Sequence, residues 1–205
     1  MPAMIRVRSV LFVSALSILI GSSAQAASFT LDANGILLGA KDVIVNGSPY
    51  DVDFIEGTCA EVFGACDAAH FTFMTEADAH AASLALLNQV LLDGPLGNFD
   101  SELTLTHGCI NALDIDQCFA ITPYGMFSNA FDLDALVSAA INTAHPLLVD
   151  GTIEGRLPVP YDAARDPEGV FAKWTAVPQS VPDDTSTLAL AGLSVAVILT
   201  MRRAV

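Results

Sequence analysis

Both ends of this chain are apolar, so a water-soluble fold has to be built from the residues between them. At the N-terminus, Arg6 and Arg8 precede an uncharged apolar core from Val10 to Ile20, and small residues follow as far as Ala27. This order of a basic, an apolar and a small-residue segment is typical of a secretory signal peptide. We expect residues 1–27 to be cleaved during export, and an uncleaved N-terminal anchor is the alternative.

The C-terminal end carries a second apolar segment. Residues 188–201 contain no charge, and Arg202 and Arg203 follow at once. A membrane-spanning helix needs about 20 apolar residues, and the run approaches that length with the residues just before it. Because paired arginines beside such a helix stay in the cytoplasm, the sequence predicts a linker at 178–187, a transmembrane helix at 188–201 and a basic tail at 202–205.

A three-part motif in this region resembles a known sorting signal. A Val-Pro-Asp-Asp sequence precedes the apolar segment, which begins Ser-Thr-Leu-Ala-Leu, and the arginine pair follows it. This order is similar to the PEP-CTERM signal, whose usual Pro-Glu-Pro is replaced here by Pro-Asp-Asp. The residues of the motif and of the arginine pair are Val181, Pro182, Asp183, Asp184, Arg202 and Arg203.

The resemblance implies a cellular location. Proteins with this signal are exported by Gram-negative bacteria, held in the inner membrane by the tail and cut near the Pro-x-x motif by an exosortase. They are then released to the cell surface or into the extracellular polysaccharide matrix. We therefore expect an exosortase partner, and an association with exopolysaccharide or biofilm for a globular domain at 28–177. The resemblance is confined to residues 181–203, and a plain C-terminal anchor is the alternative.

The region between the two ends is strongly acidic. Residues 28–180 hold 21 acidic and four basic side chains, which gives a net charge near −17. Such a surface repels nucleic acids and anionic lipids, because binding to their phosphates requires Lys or Arg. The composition therefore excludes nucleic acid as a partner and favours solubility, and the length suits one domain.

All four cysteines of the chain lie in this acidic region. They are Cys59, Cys66, Cys109 and Cys118. An even number of cysteines in an exported chain indicates disulfides, and four cysteines permit three pairings. We favour Cys59 with Cys66 and Cys109 with Cys118, because short loops close at the smallest entropic cost.

A metal site is the competing use of these cysteines. His70 follows Cys66 and His107 precedes Cys109, but the spacings match no familiar zinc pattern. Carboxylates two residues apart, which can share a calcium ion, occur at three places: Asp51/Asp53, Asp114/Asp116 and Asp132/Asp134. Since no segment matches a twelve-residue calcium loop, we predict no metal and no cofactor.

A β-hairpin and two main helices are the predicted elements, so the expected class is α+β, as a single disulfide-containing domain. Alternating apolar residues around Asn46 and Gly47 indicate a hairpin within residues 35–57. Thr75 is the predicted cap of the first helix, which is expected to stop at Gly94. A second helix is predicted from Ser128 to His145.

Further details follow from the same periodicity. The first helix has an apolar stripe, formed by Leu84, Leu87, Val90 and Leu91. Three further apolar stretches are predicted to be strands: 118–125, 147–149 and 170–177.

No catalytic motif is recognisable in the region that is expected to fold. It lacks the Gly-x-Ser-x-Gly elbow of hydrolases, a Walker loop and a dinucleotide fingerprint. Its many carboxylates leave a glycosidase pair as an alternative. We therefore predict a non-enzymatic exported protein of the bacterial surface or extracellular matrix, and we keep an exported glycosidase-like hydrolase as the second hypothesis.

Overall fold

The computed structural model describes residues 26–109, 116–130, 132–145 and 147–178. The sorting motif, the predicted transmembrane helix, the basic tail and nearly all of the signal peptide lie outside them. Among the described residues, no helix is long and apolar enough to cross a membrane. The strands and α-helices of this part are β1 (Ser28–Leu31), β2 (Leu37–Val45), β3 (Ser48–Ile55), α1 (Cys59–Phe63), α2 (Glu76–Gln89), β4 (Asp93–Gly94), β5 (Gly97–Asn98), β6 (Gln117–Ser128), β7 (Leu133–Thr143), β8 (Gly151–Pro158) and β9 (Gly169–Ala176).

Seven strands form one sheet, in the order β1-β2-β3-β9-β6-β7-β8. Neighbouring strands are antiparallel except β6 and β9, which run parallel. The last strand, β9, therefore lies in the middle of the sheet and joins an early block, β1–β3, to a late block, β6–β8. Strands β4 and β5, of two residues each, form a separate hairpin.

The predicted β-hairpin is present as β2 and β3. Asn46 and Gly47 form its turn, with φ angles of 50° and 82°. Both angles lie in the left-handed region that a two-residue hairpin turn requires and that Asn and Gly adopt most readily. Val52 and Phe54 of β3 are buried, whereas Asp53 between them is exposed, so side chains alternate between the core and solvent here.

Helix α2 covers one face of the sheet. Thr75 caps it, because its hydroxyl oxygen accepts a backbone N–H of the first turn, but the helix ends at Gln89, before the predicted stop at Gly94. Ser83 of the helix accepts a buried hydrogen bond of 3.0 Å from the Ser138 hydroxyl of β7. The buried residues of α2 are mostly small, which lets the helix lie close to the strands: Ala79, Ala82, Ser83, Ala85 and Leu86.

Helix α1 covers the opposite face of the sheet. The Cys59–Cys66 disulfide ties this short helix to the segment that follows it. Phe63 packs edge-to-face against Phe71 and Phe171, with ring centroids 5.3 and 5.6 Å apart. Because α1 lies over β9 while α2 lies on the other side, the middle of the sheet is buried on both faces.

The predicted α+β class and the predicted second helix are wrong. Residues 133–143 form strand β7, and the described part of the domain is mainly β-sheet with one long helix. On β7, Val137 and Ala139 are buried on one face while Ser138 and Ala140 are buried on the other. A strand covered on both faces has no polar alternation, so its apolar run is indistinguishable from a buried helix. The predicted strand at 147–149 is also absent, and its side chains are exposed.

Candidate functional site

An open groove of about 250 Å³ lies on the face of the sheet that carries α1. Its floor is a row of apolar side chains on three adjacent strands. Ile121 of β6 lies opposite Ala139 of β7, which in turn lies opposite Ile153 of β8. Alternate residues of a strand point to the same face, and the neighbouring residues on this face extend the floor: Phe119, Val137 and Leu157.

Gly155 keeps the groove open in the middle of β8. It pairs with Val137 of the floor, and no atom lies within 4 Å of the position that a Cβ at Gly155 would occupy. Its φ lies outside the left-handed region. A larger side chain therefore fits at Gly155 without backbone strain and would project into the groove.

Tyr161 forms one wall of the groove. Burial, followed by the charge of Asp166 and a hydrogen bond to it, raises the pKa of the Tyr161 hydroxyl above its ordinary value. The phenol therefore stays protonated at neutral pH and donates to the Asp166 carboxylate. Asp162 and Glu168 add negative charge near the same hydroxyl. Gly169 makes room for the ring, since a Cβ at Gly169 would overlap the Tyr161 Oη.

The wall is supported by aromatic packing from behind. The Tyr161 ring meets Phe171 of β9 edge-to-face, with centroids 6.1 Å apart. Phe171 is completely buried and also packs against Phe63 of α1. Helix α1 and its disulfide thus hold the layer on which Tyr161 rests.

The polar groups around the groove are mainly hydrogen-bond acceptors. The acidic residues Asp166 and Glu168 line it, whereas the side chains of Glu154 and Arg156, which border the groove through β8, point to the α2 face of the sheet. The Arg156 guanidinium lies 3.5 Å from the centroid of the Phe127 ring, a cation–π contact. An apolar floor with a few acceptors at its rim suits a ligand that has one apolar face and hydroxyl or amine donors at its edge.

The cysteines predicted to pair lie together, whereas the histidines are dispersed. The disulfides join Cys59 to Cys66 and Cys109 to Cys118, with Cα atoms 5.2 and 5.5 Å apart. His80 of α2 contacts Glu154 of β8, with 2.5 Å between Nδ1 and Oε1. The other three histidines each have a separate local contact. His70 contacts the Phe63 carbonyl, His107 the Glu56 carboxylate and His145 the Leu147 backbone N–H.

Two of the carboxylates that were considered for calcium accept local hydrogen bonds. Asp51 accepts the backbone N–H of Asp42 at 3.1 Å, and Asp132 accepts from the Asn129 side-chain amide at 3.3 Å. Asp114 lies outside the described residues. Within the part of the chain that the structure describes, no three His, Cys, Asp or Glu side chains are grouped to hold a metal ion.

A carboxyl group with a shifted pKa lies away from the groove. Burial, followed by the charge of Asp150 and a hydrogen bond to it, raises the pKa of Asp100 to about 6. Asp150 accepts the Thr143 N–H at 2.9 Å, and Asp93 accepts the N–H groups of Asp100 and Ser101. These contacts connect the β4–β5 hairpin to the β7–β8 loop, so the cluster joins two connecting segments of the fold.

The groove residues belong to no sequence motif that we can identify. Weak signals are present: Gly155 interrupts β8, and the stretch from Tyr161 to Gly169 contains the turn-forming pair Asp-Pro. The predicted sorting residues, 181–184 and 202–203, lie outside the described residues. Comparison of the chain with family models, curated proteins and solved structures finds no match. Function is therefore inferred from the residues of the chain and the geometry of the groove.

Proposed function

We propose that this protein is an exported, non-catalytic protein of the bacterial cell surface or extracellular matrix, delivered by an exosortase-type sorting signal. The observation that carries the proposal is the three-part tail. A Val-Pro-Asp-Asp motif at 181–184 is followed by the uncharged segment 188–201 and by Arg202 and Arg203. At the other end of the chain, residues 1–27 have the layout of a signal peptide.

Two features of the domain support this placement. Strand β9 ends at Ala176, so the sheet is complete shortly before the motif begins at Val181 and cleavage there would leave it intact. Both disulfides suit the oxidising environment that an exported chain meets. The partner that cuts the motif is then an exosortase in the inner membrane.

The groove is the surface that we assign to the matrix polysaccharide. A pyranose ring has an apolar C–H face, which matches the floor around Ala139, and hydroxyl groups, which match the acceptors Asp166 and Glu168. The net charge near −17 in residues 28–180 opposes a polyanionic chain. The proposal therefore specifies a neutral or amino-sugar polysaccharide.

Cleavage of the tail is tested by intact mass. We expect the wild-type protein released by its native cells to lack both ends, and to weigh less than its reduced form by the four hydrogens that two disulfides remove. Pro182→Ala is expected to abolish release and leave the chain in the membrane fraction. Pro178→Ala, in the same linker but outside the motif, is the control and should be released normally. Released wild-type protein that still carries Arg202 and Arg203 would contradict the sorting proposal.

Occupation of the groove is tested by filling it. We expect Gly155→Val to weaken binding of the cells' own matrix polysaccharide by about tenfold, which corresponds to a modest loss of contact energy. Gly151→Val is the matched control, because Gly151 is on the same strand, also has open space around it and does not line the groove. Equal binding by both variants would show that the polysaccharide does not use the groove.

The hydrolase alternative is tested by measuring reducing ends in the same mixtures of protein and polysaccharide. The observation that supports this alternative is the pair of carboxylates at the rim. Catalysis would release new reducing ends from the polysaccharide, and that release would be lost in Asp166→Asn or Glu168→Gln. Binding without any release of reducing ends is the result that the non-catalytic proposal expects.

A further inference from the structure

Strand β8 is an edge strand of the sheet. It pairs with β7 along its length, and its other side meets no strand among the described residues. Four consecutive residues of β8, from Ile153 to Arg156, are exposed. An unpaired edge of this kind presents backbone N–H and C=O groups that another strand can bind.

The register of β8 on β7 shows which backbone groups are available. The Val159 N–H donates to the Leu133 carbonyl at 3.0 Å, in continuation of the regular β7–β8 register. In an antiparallel pair, only alternate residues form backbone hydrogen bonds with the neighbouring strand. The N–H and C=O groups of the odd-numbered residues of β8 therefore point towards β7. The N–H and C=O groups of Thr152, Glu154 and Arg156 therefore point away from the sheet.

Glu154 and Arg156, two of these outward-bonding residues, carry opposite charges on the same face. His80 holds Glu154 from α2, and Phe127 lies under the Arg156 guanidinium. Residues 28–180 hold only four basic residues against 21 acidic ones, and one of the four lies on this edge, two residues from a glutamate. A second copy of β8 that runs antiparallel to the first therefore presents an arginine to the glutamate and a glutamate to the arginine.

We infer that two copies of this chain associate through β8, with the strands antiparallel and a two-fold axis at Gly155. In this register Glu154 lies opposite the partner's Arg156, and Arg156 lies opposite the partner's Glu154. Both residues have outward backbone groups, so each cross-strand pair also exchanges two backbone hydrogen bonds. The contact is isologous, as expected for a dimer with two-fold symmetry.

Electrostatics distinguishes this register from its neighbours. An axis moved to Glu154 places the two glutamates opposite each other, and an axis moved to Arg156 does the same with the two arginines. Like charges directly opposite on paired strands are destabilising, whereas opposite charges are stabilising. The register centred on Gly155 alone pairs both charges of each copy favourably.

The other face of the strand fits the same register. Ile153, whose relative exposure is 51%, lies opposite the partner's Leu157, and the symmetric pair lies on the other side of the axis. The apolar floors of the two grooves then become continuous across the dimer. Pro158 has no N–H to donate, so it ends the ladder at each side.

The test measures dimerisation of the protein as purified from its native host, using sedimentation velocity over a range of concentrations. We expect a reversible dimer for the wild type. Glu154→Arg and Arg156→Glu, each alone, place like charges opposite each other and should weaken the dimer by at least about tenfold. The swap variant E154R/R156E should restore it, and a mixture of the two single variants should form a heterodimer.

Arg165→Glu is the control for net charge, because Arg165 is an exposed arginine away from the edge and its reversal should leave the dimer unchanged. A wild type that stays monomeric at its highest soluble concentration would overturn the inference. So would a dimer that both single variants leave intact, or one that the swap variant fails to restore. Circular dichroism of each variant confirms that the sheet has folded.

Discussion

The double variant Cys109→Ala/Cys118→Ala is expected to lose about 4 kcal/mol of its free energy of unfolding. The disulfide closes a short loop, and releasing that loop in the unfolded chain accounts for about 3 kcal/mol. The remainder comes from packing, because Cys109 and Cys118 are 3% and 1% exposed in the main core and alanine leaves small cavities there. Urea denaturation followed by the fluorescence of Trp174, the sole tryptophan, measures the loss.

The other disulfide provides the matched control. Cys59 and Cys66 are separated by seven positions, against nine for the first pair, so the chain-entropy contributions are nearly equal. Cys66, however, is only half-buried, and its replacement removes less packing. We expect Cys59→Ala/Cys66→Ala to lose about 3 kcal/mol. Equal losses for the two variants would contradict a packing contribution from Cys109 and Cys118.

Parts of the fold with a strong local signal are predictable from the sequence. The Asn46–Gly47 turn has a backbone conformation that few other residue pairs adopt, and Thr75 caps α2 through its own hydroxyl. Strands β6 and β9 are predictable because β-branched and aromatic residues are concentrated in them. In each case the residues that determine the conformation are close together in the sequence.

Strand β7 shows why the rest of the fold is not predictable in this way. Its run from Leu133 to Thr143 contains several alanines, which favour helix, and its neighbours in the sheet supply the opposing preference. Pairing with both β6 and β8 satisfies the hydrogen bonds of its backbone. Because its side chains are buried on both the α2 face and the α1 face of the sheet, the strand shows no polar alternation. The outcome depends on long-range pairing that a local window does not contain.

The groove was missed for the same reason. Ile121, Ala139 and Ile153 come from three strands and become neighbours only through the register of the sheet. The wall residue Tyr161 depends on space left by Gly169, which only the folded chain reveals. The proposed sorting tail is the opposite case, since the motif that predicts it is contiguous in the sequence and lies outside the described residues.

Helix α2 gives the last and most discriminating prediction, because the leucine that periodicity predicts to be buried differs from the one that is buried in the structure. The 3.6-residue periodicity places Leu84 in the apolar stripe, yet Leu84 is 39% exposed, whereas Leu86 is fully buried. We expect Leu86→Ala to lower the free energy of unfolding by about 3 kcal/mol, through lost burial and the cavity that remains. Leu84→Ala should change it by less than about 0.5 kcal/mol, as at other surface sites.

The two variants remove the same atoms from the same helix, so helix propensity cancels in their comparison. Urea denaturation monitored by Trp174 fluorescence measures both, and the slope with urea should match the wild type if only stability has changed. The large loss should follow Leu86, because it lies against the sheet together with Ala79 and Ala82. A larger loss for Leu84→Ala would mean that α2 is rotated about its axis, so that Leu84 rather than Leu86 faces the strands.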